Sequence, residues 1–110
     1  MSDRIIKINE LVRQNLGQIV NSEVEFSKGT IVTITRVSTS PDLRHARVYI
    51  SVLPPENKQK VIKTLINESK NLHHLLNEKI ILRNIPRLTF FIDEDGEKAA
   101  ELDHLLDNLK

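Results

Sequence analysis

Cysteine is absent from this chain of 110 residues, which excludes disulfides, thiolate zinc sites and cysteine nucleophiles. That absence fits a reducing compartment. Glycine is almost as scarce. Gly17, Gly29 and Gly96 are too few and too dispersed for a glycine-rich loop that cradles phosphates. Tryptophan is missing, and the aromatics are Phe26, Tyr49, Phe90 and Phe91, too few for a surface that stacks many bases. No apolar run approaches the roughly 20 residues needed to span a bilayer. The opening MSDRIIKINELVRQNLGQIV is interrupted by charge and lacks the apolar stretch of a secretory signal. The expectation is a cytoplasmic protein of a single domain, residues 1–110. A chain of this length can bury about 65% of its unfolded surface, enough for a core without staples.

Charge is present in quantity but segregated. The total is near neutral, 16 Lys and Arg against 15 Asp and Glu. Residues 28–88 hold eleven basic and four acidic side chains, a local net of +7. Residues 1–27 hold three and four, and residues 89–110 hold two and seven, a local net of −5. A basic middle in a compact domain points to polyphosphate, most often nucleic acid. The alternative is a set of ordinary solvated charges.

The apolar pattern gives the order of elements. Ile5, Ile8, Leu11, Val12, Leu16, Ile19 and Val20 form one face of a helix capped by Ser2 or Asp3. Its polar face is of mixed sign (Asp3, Glu10, Arg13), which favours core packing over a membrane surface. Thr30 to Val37 is rich in β-branched residues, and Ala46 to Leu53 alternates apolar with polar. The turn chemistry of Ser40-Pro41-Asp42 between them predicts an antiparallel hairpin. Pro54-Pro55 ends the second strand and suits the first turn of a helix. Val61, Ile62, Leu65, Ile66, Leu72, Leu75 and Leu76 then run with helical period to about Leu82, with a break near Glu68-Ser69-Lys70-Asn71. Leu88, Phe90 and Ile92 alternate through a third strand. A short final helix carries Ala99, Leu102, Leu105, Leu106 and Leu109 inward. The fold class is α+β: helix, strand, strand, helix, helix, strand and a helical appendix, with three strands covered on one face by helices.

Lys60, Lys63, Asn67, Lys70 and His74 are spaced by three and four residues, so they form one stripe on a helix, away from Val61, Leu65 and Leu72. Alone, such a stripe reads as a solvated lysine face. Arg83 and Arg87 bracket Pro86 between a helix and a strand. Guanidinium groups there suit phosphate oxygens, and Arg83 could instead cap the preceding helix. Arg36, Arg44, His45 and Arg47 lie on or near the hairpin; Arg36 and Arg47 could simply pair across strands with acidic neighbours, but Asp42 is the one acid close in sequence.

Three stretches carry a family resemblance: Thr33-Ile-Thr-Arg-Val37 with Ser40-Pro41-Asp42-Leu43; Ala46-Arg-Val-Tyr-Ile-Ser51; and Leu82-Arg83, Ile85-Pro86 and Leu88-Thr-Phe-Phe-Ile-Asp93. In this order and spacing the chain resembles the bacterial ribosome-binding factor A family over nearly its whole length. The resemblance implies a type II KH-like fold and a non-enzymatic role; the expectation for the chain is a monomer without cofactor or metal. It implies as partners the free, immature small (30S) ribosomal subunit and its 16S rRNA. The implied role is late maturation and processing of the rRNA 5′ end, including growth in the cold. It also turns the basic residues toward RNA: Lys60, Lys63, Lys70, His74, Arg83, Arg87, Arg36, Arg44 and Arg47. The family marks a kinked helix pair by Ala-x-Gly. Here Glu68-Ser69-Lys70 occupies that place, and Asn71, one residue on, is the nearest residue suited to left-handed backbone angles. An ordinary KH grip needs Gly-x-x-Gly, which this chain lacks, so binding falls to side chains and helix ends.

Other chemistry finds no support in the pattern. His45, His73, His74 and His104 come with no HExxH and no matching carboxylate spacing. Asp93-Glu94-Asp95-Gly96 lacks the remaining positions of a calcium loop. No nucleophile elbow is present. A ferredoxin-like regulatory or interaction domain would open on a strand and contain four; this chain opens on a helix and offers three.

Overall fold

Ile8, Val12, Leu16, Ile19 and Val20 recur every three or four residues and are the buried side of a helix, α1, Asp3–Glu23. The computed structural model describes residues 3–94. Leu11, expected on the same face, is exposed at the margin of the stripe. Gly29, at φ 82°, takes the left-handed angles that turn the chain from α1 into the sheet.

Strand β1, Ile31–Thr39, pairs antiparallel with β2, His45–Leu53. β1 is longer than the sequence pattern suggested and contains a bulge. Ile34 lies opposite Ile50, but Arg36 lies opposite Tyr49, so Thr35 is an extra residue. The extra residue changes the parity of the strand. Val32 and Ile34 face the helices before it, and Val37 and Thr39 face them after it. The hairpin turn is held by short polar bonds. The Ser40 hydroxyl donates to Asp42 Oδ1 at 2.6 Å, the Arg44 amide donates to the same oxygen at 3.0 Å, and the His45 amide donates to Ser40 Oγ at 3.1 Å. Leu43 takes the left-handed region (φ 62°) while its side chain packs against the core.

After Pro54 a single 3₁₀ turn, Pro55–Asn57, leads into α2, Lys58–Asn67, and α3, Ser69–Lys79. α3 ends three residues short of the expected Leu82. Ile80 leaves the helix in extended conformation and stays buried. β3, Arg87–Ile92, then pairs parallel with β2, from His45 opposite Arg87 to Ile50 opposite Ile92. The two helices are the crossover that a parallel pair requires. The strand order is β1-β2-β3.

One contiguous core lies between sheet and helices. Leu16, Leu65, Leu72 and Leu76 meet Ala46, Val48 and Ile50 of the central strand, all fully buried. Each of the larger of these side chains contributes about 1.5–3 kcal/mol by burial. Lys79 Nζ donates to Gln18 Oε1 at 3.2 Å and ties α3 to α1, and the Thr39 amide donates to Asn9 Oδ1 at 2.9 Å, tying β1 to α1. The helices take one face of the sheet. On the other face Thr33, Arg36, Arg47, Thr89 and Phe91 are exposed. The expected final helix, with Ala99 to Leu109, lies outside the described residues, as does His104.

Candidate nucleic-acid interface

The chain between α2 and α3 bends at Glu68, whose backbone sits at φ −89°, ψ 0°. The helical bonds on either side persist: the Glu68 amide donates to the Thr64 carbonyl at 2.9 Å, and the Leu72 amide donates to the Glu68 carbonyl at 2.8 Å. The bend therefore needs neither glycine nor a left-handed residue. Asn71 is helical, inside α3, with its side-chain amide 3.5 Å from Glu68 Oε2, so the expectation of left-handed angles there is corrected. Lys60, Lys63, Asn67, Lys70 and His74 are all at least partly exposed, and Val61, Leu65, Leu72 and Leu76 are buried beneath them. His74 Nε2 lies 3.1 Å from Glu78 Oε1. His73 is turned the other way. Its Nε2 lies 3.0 Å from the Ile85 carbonyl, an acceptor, so Nε2 carries the proton.

Beside the bend, a cleft of about 350 Å³ opens between the helix pair and the edge of β3. Ile66 and Ser69 line it from the helices, His45, Arg87 and Thr89 from the strands. Ile66 was expected in the core by its period. It is 59% exposed and lines the cleft instead.

A second cleft of about 480 Å³ lies at the end of the sheet where β2 and β3 begin. It gathers Arg44 from the hairpin turn, Arg83 from the loop before β3, and Arg4 from α1. The Arg87 amide donates to the Arg44 carbonyl at 2.8 Å, which fixes the two loops together. Arg4 was missed by the sequence reading. It belongs to an N-terminal segment of net negative charge, and only the packing of α1 brings it here. Asp42 lies in the same cleft. Its carboxyl is held below the usual range by the Ser40 hydroxyl first and the Arg44 amide second, so it stays ionised among the arginines.

Arg36 and Arg47 stand on the face of the sheet that no described helix covers. Arg36 finds an acid that is not close to it in sequence. Its Nε lies 4.0 Å from Oδ2 of Asp93, a buried carboxylate distant in sequence. The Arg36 guanidinium also lies 3.8 Å over the Tyr49 ring, and that ring stacks on Phe91 with centroids 5.7 Å apart.

The predicted basic residues thus form three groups. Lys60, Lys63, Lys70 and His74 face outward from the helix layer. Arg44 and Arg83 join Arg4 at the end of the sheet. Arg36 and Arg47 occupy the opposite face, and Arg87 starts the β3 edge between these surfaces. Together they present cations over several sides of the domain. Among the described residues no cluster of His, Asp and Glu is arranged to hold a metal, and no helix is long and apolar enough to cross a membrane.

Comparison with known proteins bears on what this arrangement serves. The family model of ribosome-binding factor A matches residues 4–106. The ribosome-binding factor A of Coxiella burnetii is 36% identical over 107 residues, covering 97% of this chain and 90% of that protein. Among solved structures, the crystal structure of ribosome-binding factor A from Thermus thermophilus superposes with a TM-score of 0.72 at 18% identity, over 80% of this chain and 94% of that one. A homology model of the Thermus thermophilus factor, fitted into the cryo-EM map of a 30S complex, superposes with a TM-score of 0.65 at 20% identity, over 76% and 88% of the two chains. The α–β–β–α–α–β order and parallel β2–β3 pair described above are thus a KH-like fold shared with these structures, and the sequence match extends well beyond the three short stretches that first suggested it: this chain belongs to the ribosome-binding factor A family.

Proposed function

We propose that this protein is an assembly factor that binds the immature small ribosomal subunit through 16S rRNA and assists late maturation and 5′-end processing. We propose further that it works in the cytoplasm as a monomer and supports growth in the cold. It acts by occupancy and not by catalysis: it binds one conformation of the rRNA more tightly than another, then leaves. The observation that carries this reading is the outward stripe Lys60, Lys63, Asn67, Lys70 and His74, which runs across the bend at Glu68 above a buried apolar seam. Nothing in the core needs these cations. Their one-sided placement beside the Arg87 cleft suits a phosphate backbone. Family membership supports the small subunit as the partner, and a homology model of a protein of the same fold has been fitted into the map of a 30S complex.

Sedimentation of cell extract tests the proposal. The protein should co-migrate with free small subunits and not with complete ribosomes. Its binding should weaken steeply as salt rises, because each phosphate contact releases counterions. Co-migration with neither species, or an affinity indifferent to salt, would remove the RNA partner and leave a protein-interaction domain.

A further inference from the structure

On the face of the sheet that no described helix covers, three residues from three strands form a row. Arg36 of β1 is the register partner of Tyr49 on β2, and Tyr49 is the register partner of Phe91 on β3. The guanidinium covers one side of the Tyr49 ring at 3.8 Å, and Phe91 stacks on it from the β3 side, centroids 5.7 Å apart and planes 30° from parallel. The row therefore ends on Phe91. This ring is 41% exposed, on a strand that pairs with β2 alone among the described strands. The core does not need it, because Leu88 and Phe90 supply the inward side of β3.

We propose that this row is a stacking platform for an unpaired base of single-stranded RNA, which lies on the open side of Phe91 while Arg47 takes a flanking phosphate. The proposal rests on the RNA partner proposed above and adds a second contact to it, on the face opposite the lysine stripe. Three observations select this occupant. The rings offer a π-face, which a splayed base can use and a duplex, with its bases already stacked, cannot. Exposed cations beside the row suit phosphate: Arg47 stands two residues before Tyr49 on the same side of β2, about 7 Å away along the strand, and Arg87 begins β3 on that side. The carboxylate of this face, Asp93, is buried against Thr35 and Arg36 and does not oppose a phosphate at the surface. Two rings and a guanidinium serve one or two bases, which agrees with the scarcity of aromatics in the sequence. The bulge at Thr35 is what sets Arg36 opposite Tyr49; without it Thr35 would stand there.

The test uses the full chain and short RNA probes: a single-stranded adenylate hexamer, a uridylate hexamer and a blunt RNA duplex of similar length. Tyr49 is the only tyrosine and Phe91 one of three phenylalanines, so their ring resonances are few and separable by substitution. The hexamers should shift the Phe91 and Tyr49 ring signals, adenylate more than uridylate, and the duplex should not. Phe91→Ala should lower hexamer affinity by about 5- to 150-fold, the range expected for one stacked base. Phe91→Leu, which keeps apolar bulk without the ring, should lose most of the same affinity, and circular dichroism should show both variants folded. Ring signals unmoved by the hexamers, or moved equally by the duplex, would overturn the platform. So would full affinity in folded Phe91→Leu, or ring shifts produced by a small-subunit protein and not by RNA. Binding of the parent to small subunits, measured separately, keeps the two readings apart. If the hexamers leave the rings alone while subunits still bind, the platform fails and the assembly role stands; if subunits do not bind, the assembly role fails, and the hexamer result still decides the platform.

Discussion

The Thr35 hydroxyl lies 2.6 Å from Oδ2 of Asp93, joining the bulge of the first strand to the end of the third across 58 residues of sequence. Asp93 is buried, and its amide is fixed to the Ile50 carbonyl at 2.8 Å. A buried carboxylate that loses a donor keeps its desolvation cost without the compensation. Thr35→Val, which preserves the β-branched shape, should therefore destabilise the protein by about 1–3 kcal/mol. Urea unfolding should show the midpoint falling with an unchanged slope. An unchanged midpoint would mean that the bond adds nothing net to the folded state.

Thr39 gives the opposite expectation. Its side chain is buried, and its hydroxyl finds no hydrogen-bond partner among the described residues, although its amide is held by Asn9. Thr39→Val replaces the unsatisfied hydroxyl by a methyl group of the same shape. Stability should rise by about 1 kcal/mol, in the range set by an unpaired buried polar group. The melting temperature should follow by roughly 4–8 °C for a domain of this size. A lower melting temperature would show that the hydroxyl is paired in solution.

Asp42 predicts a pH response confined to the hairpin turn. Its folded carboxyl titrates below the unfolded value, with the Ser40 hydroxyl as the main cause. A depressed folded value means that the turn is favoured by ionised Asp42 above the ordinary carboxylate range. That contribution is lost as pH falls through the folded value. NMR titration should place the Asp42 midpoint below 3.8, and Ser40→Ala should raise it. A midpoint unmoved by Ser40→Ala would assign the shift to another group.

Lys63→Glu, Lys70→Glu and Arg87→Glu, combined, should leave folding within about 0.5 kcal/mol per site, because all three side chains lie at the surface, outside the core. Pull-down of small subunits should fail, since attraction to phosphate becomes repulsion. Reversal of Glu101 and Asp107, acids outside the basic segment, is the control and should leave binding intact or improved. A triple variant that folds and binds like the parent would reduce the stripe to a solvated face.

Much of this fold was legible in the chain because each element carries its own period. The α1 stripe, the alternation of Ala46 to Val52 and the break near Glu68 all depend on near neighbours. The bulge was also written in the sequence, as a change of apolar parity between Ile34 and Val37, but it becomes visible only when that strand is read against β2. Pairings across long loops left no local sign. Arg36 meets Asp93, and Arg4 meets Arg83, only because the sheet and α1 bring them together. Residue spacing showed which side chains are exposed on the helix pair. It could not show that the hairpin arginines separate, with Arg44 going to the end cleft and Arg36 and Arg47 to the opposite face.

The parallel pairing of β2 and β3 has a consequence for when the protein becomes competent. The hairpin of β1 and β2 closes over a turn of five residues, whereas His45 meets Arg87 forty-two positions later. Short closures form ahead of long ones, because the longer loop loses more chain entropy before any contact compensates it. Tyr49 and Arg36 are thus in place early, but Phe91, Arg87 and both clefts exist only once the last strand docks. A chain still emerging from the ribosome that makes it has the hairpin before it has the Phe91 row or the two clefts, and it gains them only when β3 has been made and docks on β2.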